Sequence, residues 1–137
     1  MTADGSELYF QPSSGFCIFP GGSKKFTVRY DETTGRYLTL ANNIVDGLEK
    51  EYPANVRNTL SLMSSTDLME WTIEYTVLHH DDVKKHAFQY VDWLIDKNDL
   101  VFVSRTAWDD NEGGADSAHN ANYLTFHRIE NYRQYVK

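Results

Sequence analysis

The chain has 137 residues, enough for one domain with a modest core, and with 41% hydrophobic and 24% charged residues it has the composition of a globular protein. A net charge of −7 and the lack of any basic run argue against nucleic acid and anionic membranes as partners, and no apolar run is long enough to span a bilayer. Cys17 is the single cysteine, so neither an internal disulfide nor a cysteine-based metal site is available.

Residues 1–7 are polar and expected to fray, and the chain does not open on the charged-then-apolar pattern of a signal peptide. Short strands are expected over 8–11 and 16–19 before Pro20-Gly21-Gly22 breaks the chain; the glycine pair is too short for a phosphate loop. Residues 25–30 alternate, with Phe26, Val28 and Tyr30 on one face, and 36–42 alternate again after a turn containing Thr34-Gly35, which makes a hairpin. A long polar connection, 43–56, follows, in which 45–52 is a candidate short helix ended by Pro53. Strands are expected at 58–64 and 71–79, joined by Ser65-Thr66-Asp67-Leu68-Met69-Glu70-Trp71. In that turn Ser65 and Asp67 can bond local backbone N–H groups, and Trp71 can bury against the sheet. Residues 81–85 read as a charged loop. The run 86–95 reads as a strand with Phe88, Tyr90 and Asp92 on one face and Gln89, Val91 and Trp93 on the other. A tight turn, 96–99, leads into a strong strand, 100–107. A long loop, 109–120, holds Gly113-Gly114, 122–128 alternates as a last strand, and 129–137 is an outer edge or a short helix.

No long helical periodicity appears, so the class is all-β. Residues 25–80 make a four-stranded antiparallel meander, and 81–137 repeat its first three strands, with a short turn after the first and a long polar loop after the second. Such a repeat is the signature of a β-propeller blade. The whole chain, 1–137, is then one partial β-propeller of about two blades, with 1–24 as the outer strand and loop of a preceding one. Propellers have about four to eight blades, so a ring needs either the N-terminal blades of a longer parent or several copies of this chain, a homo-oligomer; otherwise the sheets pack as a sandwich. Because successive turns of a meander alternate between its two ends, the long connections 13–24, 43–56, 80–85 and 108–121 fall at one end, where a ligand is expected.

At that end Asp109 and Asp110, with Glu112 and Asp116, form an acidic glycine-containing loop. Paired carboxylates can do acid–base work on a glycosidic bond, and oxygen ligands can hold calcium, although the spacing is not that of an EF-hand and a solvated surface loop looks the same. His119, Asn120 and Asn122 carry groups that bond sugar hydroxyls directionally, and equally groups that form turns. His86 begins an inner strand and faces the mouth of a ring. His79-His80-Asp81-Asp82 has metal-ligand residue types, but neighbours on a strand point to opposite faces, so no metal site and no cofactor are assigned. Asp92, within an apolar strand, is either a buried structural group or a functional one facing the lumen. The aromatic content of 14% suits both a β core and the stacking of sugar faces.

The turn Ser65-x-Asp67-Leu68-x-x-Trp71 resembles the blade turn of carbohydrate-active propellers. With Arg57-Asn58-x-Leu60, Phe88-Gln89-Tyr90-Val91-Asp92-Trp93, Ser104-Arg105-Thr106-Ala107, Asp109-Asp110, Gly113-Gly114 and His119-Asn120-Ala121-Asn122-Tyr123 it is similar to the C-terminal blades of sialidase-like propellers of the BNR or Asp-box type, over residues 24–133. Met69 stands where the sialidase box has glycine, and the spacing to Trp71 is one residue short. The resemblance implies a secreted or periplasmic glycoside hydrolase acting on glycans or acidic sugars. Sialidases hold the substrate carboxylate with an arginine cluster, and the resemblance makes Arg57 and Arg105 the candidates for that clamp. No tyrosine–glutamate nucleophile pair is assignable. Glycan binding without hydrolysis, as in a lectin, or docking of another protein are the alternatives.

Overall fold

The period-two alternation of leucines in 38–40 and 60–62 decides how this chain folds. In a computed structural model, which describes residues 4–21 and 24–137, the chain forms two open antiparallel sheets and almost no helix. Strands β1 (Val28–Asp31), β2 (Arg36–Asn42), β3 (Thr59–Ser65) and β4 (Thr72–His79) pair in that order. Strands β5 (Ala87–Asp96), β6 (Asp99–Ala107) and β7 (Tyr123–Ile129) form the second sheet. The class is therefore all-β, and the four-plus-three meander has the strand order expected from the sequence.

Leu40 faces Leu62 across the β2–β3 pair, and these two stand with Leu38 and Leu60 on one face of the four-stranded sheet. That face packs against Phe88, Val91 and Trp93 of β5 and Leu100 and Phe102 of β6, all buried in one shared core. Burying such a side chain contributes about 1.5–3 kcal/mol, so the contact between the sheets is the main source of stability. Polar ties fix its geometry. The Asn42 amide donates to the carbonyls of Thr59 at 2.8 Å and Phe88 at 2.7 Å, with Arg57 O at 3.2 Å. Arg29 Nε donates to Trp93 O at 2.7 Å, and Trp93 Nε1 donates to Thr27 O at 3.0 Å.

The face pattern expected for 86–95 is corrected by a β-bulge. Gln89 pairs with Arg105, but Asp92 pairs with Val103, so Tyr90 and Val91 together oppose Ser104 alone; Tyr90 sits at φ 53°. The extra residue reverses the phase. Phe88, Val91 and Trp93 share the core face, while Asp92 and Leu94 turn outward. Asp92 is thus not a buried group. It is exposed and pairs with Arg29 at 3.0 Å.

Other segments also differ. No strand forms over 8–11 or 16–19, because no partner strand lies beside them. The candidate helix at 45–52 is a series of turns interrupted by Gly47 at φ 89°, followed by a single 3-10 turn, Pro53–Asn55. At the far end a 3-10 turn, Tyr132–Gln134, buries Tyr132. Gly22 of the glycine pair and residues 1–3 lie outside the described residues. Gly21 crosses the outer face of β2 and β3 so closely that an added Cβ would collide with Asn42 O. The turn 65–71 is built as expected: Ser65 Oγ accepts from Asp67 N and Leu68 N, and Asp67 Oδ1 accepts from Met69 N and Glu70 N. Trp71 is half-buried, edge-on to Phe19.

Candidate functional site

The long connections do meet at one end. His80 N donates to Asn58 O at 3.0 Å, and Ala118 N donates to Lys84 O at 2.6 Å, which joins the 43–58, 80–86 and 108–122 loops. The His80 and His86 rings stack with centroids 3.6 Å apart, and Trp108 stands edge-on to both at 4.9 Å. A small cluster of Ala87, Ala107, Ala115 and Ala118 lets the last loop lie close against its sheet.

Between these loops opens a cleft of about 380 Å³, lined in part by Glu51, Asn55, Arg57, Lys84, Ser117 and His119. Arg57 is only 8% exposed. Its Nε donates to Ala54 O at 3.1 Å and its Nη1 to Gln89 Oε1. Gln89 is held in turn, because its amide donates to Ala118 O at 2.8 Å. Among the described residues Arg57 Nη2 donates no hydrogen bond, and no carboxylate lies within 4.0 Å of the guanidinium. Asp31, also buried, is handled differently: it accepts from Arg133 at 3.0 and 3.1 Å. Nη2 is not a buried unpartnered atom and Arg57 lines the open cleft, so the guanidinium has a free donor with which to take up an anion.

A second cleft of about 280 Å³ adjoins, lined in part by Phe19, Lys24, Asn42, Asn43 and Pro53. Burial, and then the positive charge of Arg57, pull the Lys24 ammonium down to about 8. The two cations therefore act on one another across the loop end.

The remaining candidates are divided among other tasks. Arg105 does not line the Arg57 cleft; it lies across the strand pair from Gln89 with its guanidinium 5.7 Å from the Tyr90 ring centre. Lys25 approaches the same ring at 5.9 Å. His86 is buried, with Nδ1 3.6 Å from Asp82 and Nε2 3.4 Å from Asp109, and neither nitrogen makes a hydrogen bond. Asp110 organises its own loop. It accepts from Gly114 N and Glu112 N at 2.8 Å and from Asn122 Nδ2 at 2.7 Å, and the bond from Gly114 N, then those from Asn122 and Glu112, hold its carboxyl below the usual range. Asn122 also donates to Trp108 O and accepts from Trp108 N. Asn120 is exposed, with Oδ1 3.2 Å from His119 Nδ1. Arg57 and His119 thus share a cleft, Asp109 stands against His86, and Asp110 and Asn122 close a loop.

Sequence reasoning did not single out Gln89, Lys84 or Lys24. Gln89 left one signal, a long polar residue in an otherwise apolar strand. Among the described residues no three His, Cys, Asp or Glu side chains converge as a metal site, and no helix is long and apolar enough to cross a membrane. Comparison of the chain with protein-family models, with curated proteins and with solved structures gives no match. Chemically, the cleft offers one fixed guanidinium, an ammonium, an imidazole, the Glu51 carboxylate and neutral amide and hydroxyl groups. That set suits a ligand with one negative charge and several hydroxyls.

Proposed function

We propose that this chain is a propeller-like carbohydrate-binding module that takes an acidic sugar at the Arg57 cleft. The observation that carries this reading is the buried Arg57 guanidinium, immobilised by Ala54 O and Gln89 and without a carboxylate partner among the described residues. The sugar carboxylate would accept from Arg57 Nη2. Lys84 adds long-range attraction, and Asn55, Ser117 and His119 stand where ring hydroxyls would bond. Binding without turnover is favoured over hydrolysis because Asp110 is committed to its loop and Asp109 stands against His86, so neither lines the Arg57 cleft.

Titration calorimetry with sialyllactose and with lactose tests the proposal. The acidic sugar should bind at least about tenfold tighter, as a charge-assisted bond contributing about 1.5–3 kcal/mol requires. Arg57→Gln should abolish that preference and Lys84→Gln should weaken it, the latter from an exposed position that leaves the fold intact. Equal affinity for both sugars, or full preference in both variants, would overturn the reading. Release of free sialic acid by the wild type would replace it with hydrolysis.

A further inference from the structure

In a chain with 20 acidic and 13 basic residues, a cation without an acid beside it is conspicuous. Lys25 and Arg105 are two of these: among the described residues neither has a carboxylate within 4.0 Å. Both bring their charged ends to one ring instead. Arg105 Cζ stands 5.7 Å and Lys25 Nζ 5.9 Å from the centre of Tyr90. Asp92, two residues further along β5, is taken by Arg29 at 3.0 Å. A cation held against an aromatic ring keeps its N–H donors for a further partner.

Tyr90 holds this place under strain. It belongs to the β5 bulge and sits at φ 53°, a left-handed conformation that a bulky side chain rarely adopts. Such strain persists where the surrounding structure over-determines it, and a bulge is a device for re-aiming a side chain. Here it brings one ring both to a cation of the second sheet and to a cation just ahead of β1 in the first.

The cluster lies next to the Arg57 guanidinium. Arg105 is the register partner of Gln89, so the two side chains leave the same face of the second sheet. Gln89 Oε1 in turn accepts from Arg57 Nη1. Gln89 thus stands between two separate sets of cationic donors, Arg57 Nη2 on the cleft and Arg105 with Lys25 around Tyr90.

We propose that Arg105 and Lys25, gathered by Tyr90, form a second carboxylate subsite beside the Arg57 cleft. The inference rests on the Arg57 reading and names its ligand class: an acidic oligosaccharide with a carboxylate on each of two neighbouring sugars, not a single terminal acid. Arg57 takes one carboxylate, and Arg105 with Lys25 takes the other.

Titration calorimetry on the full chain with α2,8-linked trisialic acid and with sialyllactose tests this. The linked acids should bind at least about tenfold tighter than the single one, more than the statistical gain of offering equivalent acids, as a second charge-assisted contact requires. Lys25→Gln and Arg105→Gln should each lose most of that gain. Lys25 is exposed and Arg105 half-buried, and circular dichroism checks that both variants fold. Lys97→Gln removes one positive charge from the exposed β5–β6 turn and should lose none of the gain. Equal affinity for the two ligands overturns the inference, while a preference for sialyllactose over lactose then leaves the Arg57 reading in place. An equal loss in Lys97→Gln and Lys25→Gln also overturns it, because the attraction is then diffuse. If sialyllactose has no advantage over lactose, the Arg57 reading falls and the inference falls with it.

Discussion

Asp31 and Arg57 are both buried charges, and their different partners give them different work. Burial pushes the Asp31 carboxyl up, but hydrogen bonds from Arg133 and Thr34 outweigh it and hold the group at about 2. A carboxyl held below its unfolded value of 3.8 binds fewer protons in the folded chain, so its stabilisation is complete above about pH 4 and is lost as pH falls through 2. Asp31→Asn should destabilise the chain by about 2 kcal/mol at neutral pH. Thermal melts of both proteins should converge between pH 4 and 2; a constant difference down to pH 2 would show that the ion pair does not carry the effect. Arg57 has no such acid. Its placement beside a loop-rich end was legible from the resemblance and the loop lengths. Its lack of a counter-ion was not, because that depends on which carboxylates the folded loops leave out.

The 65–71 turn shows how much of an element is written locally. Ser65 and Asp67 satisfy four backbone N–H groups within the turn, and Trp71 Nε1 donates to Leu68 O at 3.2 Å. The turn also forces Leu68 to φ 67°, where a side chain costs about 1–2 kcal/mol. Leu68→Gly should therefore raise stability in urea, by about 0.5–1 kcal/mol once the greater freedom of the unfolded glycine is subtracted. An unchanged or lower midpoint would mean that the exposed Leu68 side chain contributes more packing than its position suggests. The bulge in β5 is the opposite case. Nothing in Phe88-Gln89-Tyr90-Val91-Asp92-Trp93 announces an extra residue, since a bulge is a relation between two strands and only pairing with β6 defines it.

For the molecule as a whole, two sheets share one core, so they should unfold together. Asn42 is the polar pin between them, and Asn42→Ala leaves the Thr59 and Phe88 carbonyls without that donor. A loss of about 2–3 kcal/mol in a single denaturant transition is expected. Two separate transitions would show that the sheets are independent units. The same arrangement leaves Leu94, Val103, Leu124 and Phe126 exposed on the second sheet: the first sheet covers its inner side, the 108–121 loop covers the outer side only near Ala87 and Ala107, and among the described residues no further strand covers the rest.

The sequence by itself determined the class, six strand regions within one residue of their ends and the first, expected at 25–30 and found at Val28–Asp31, within three, and the gathering of long loops at one end. These rest on local alternation, turn chemistry and the geometry of a meander, all of which are short-range. It failed for residues 8–11 and 16–19, where the pattern was present and a partner strand was not. Tertiary structure alone decided the phase of β5, the exposure of Asp92, the absence of Arg105 from the lining of the Arg57 cleft and the hold of Gln89 on Arg57. Each of these depends on contacts between residues far apart in the chain, and no local period encodes which of them form.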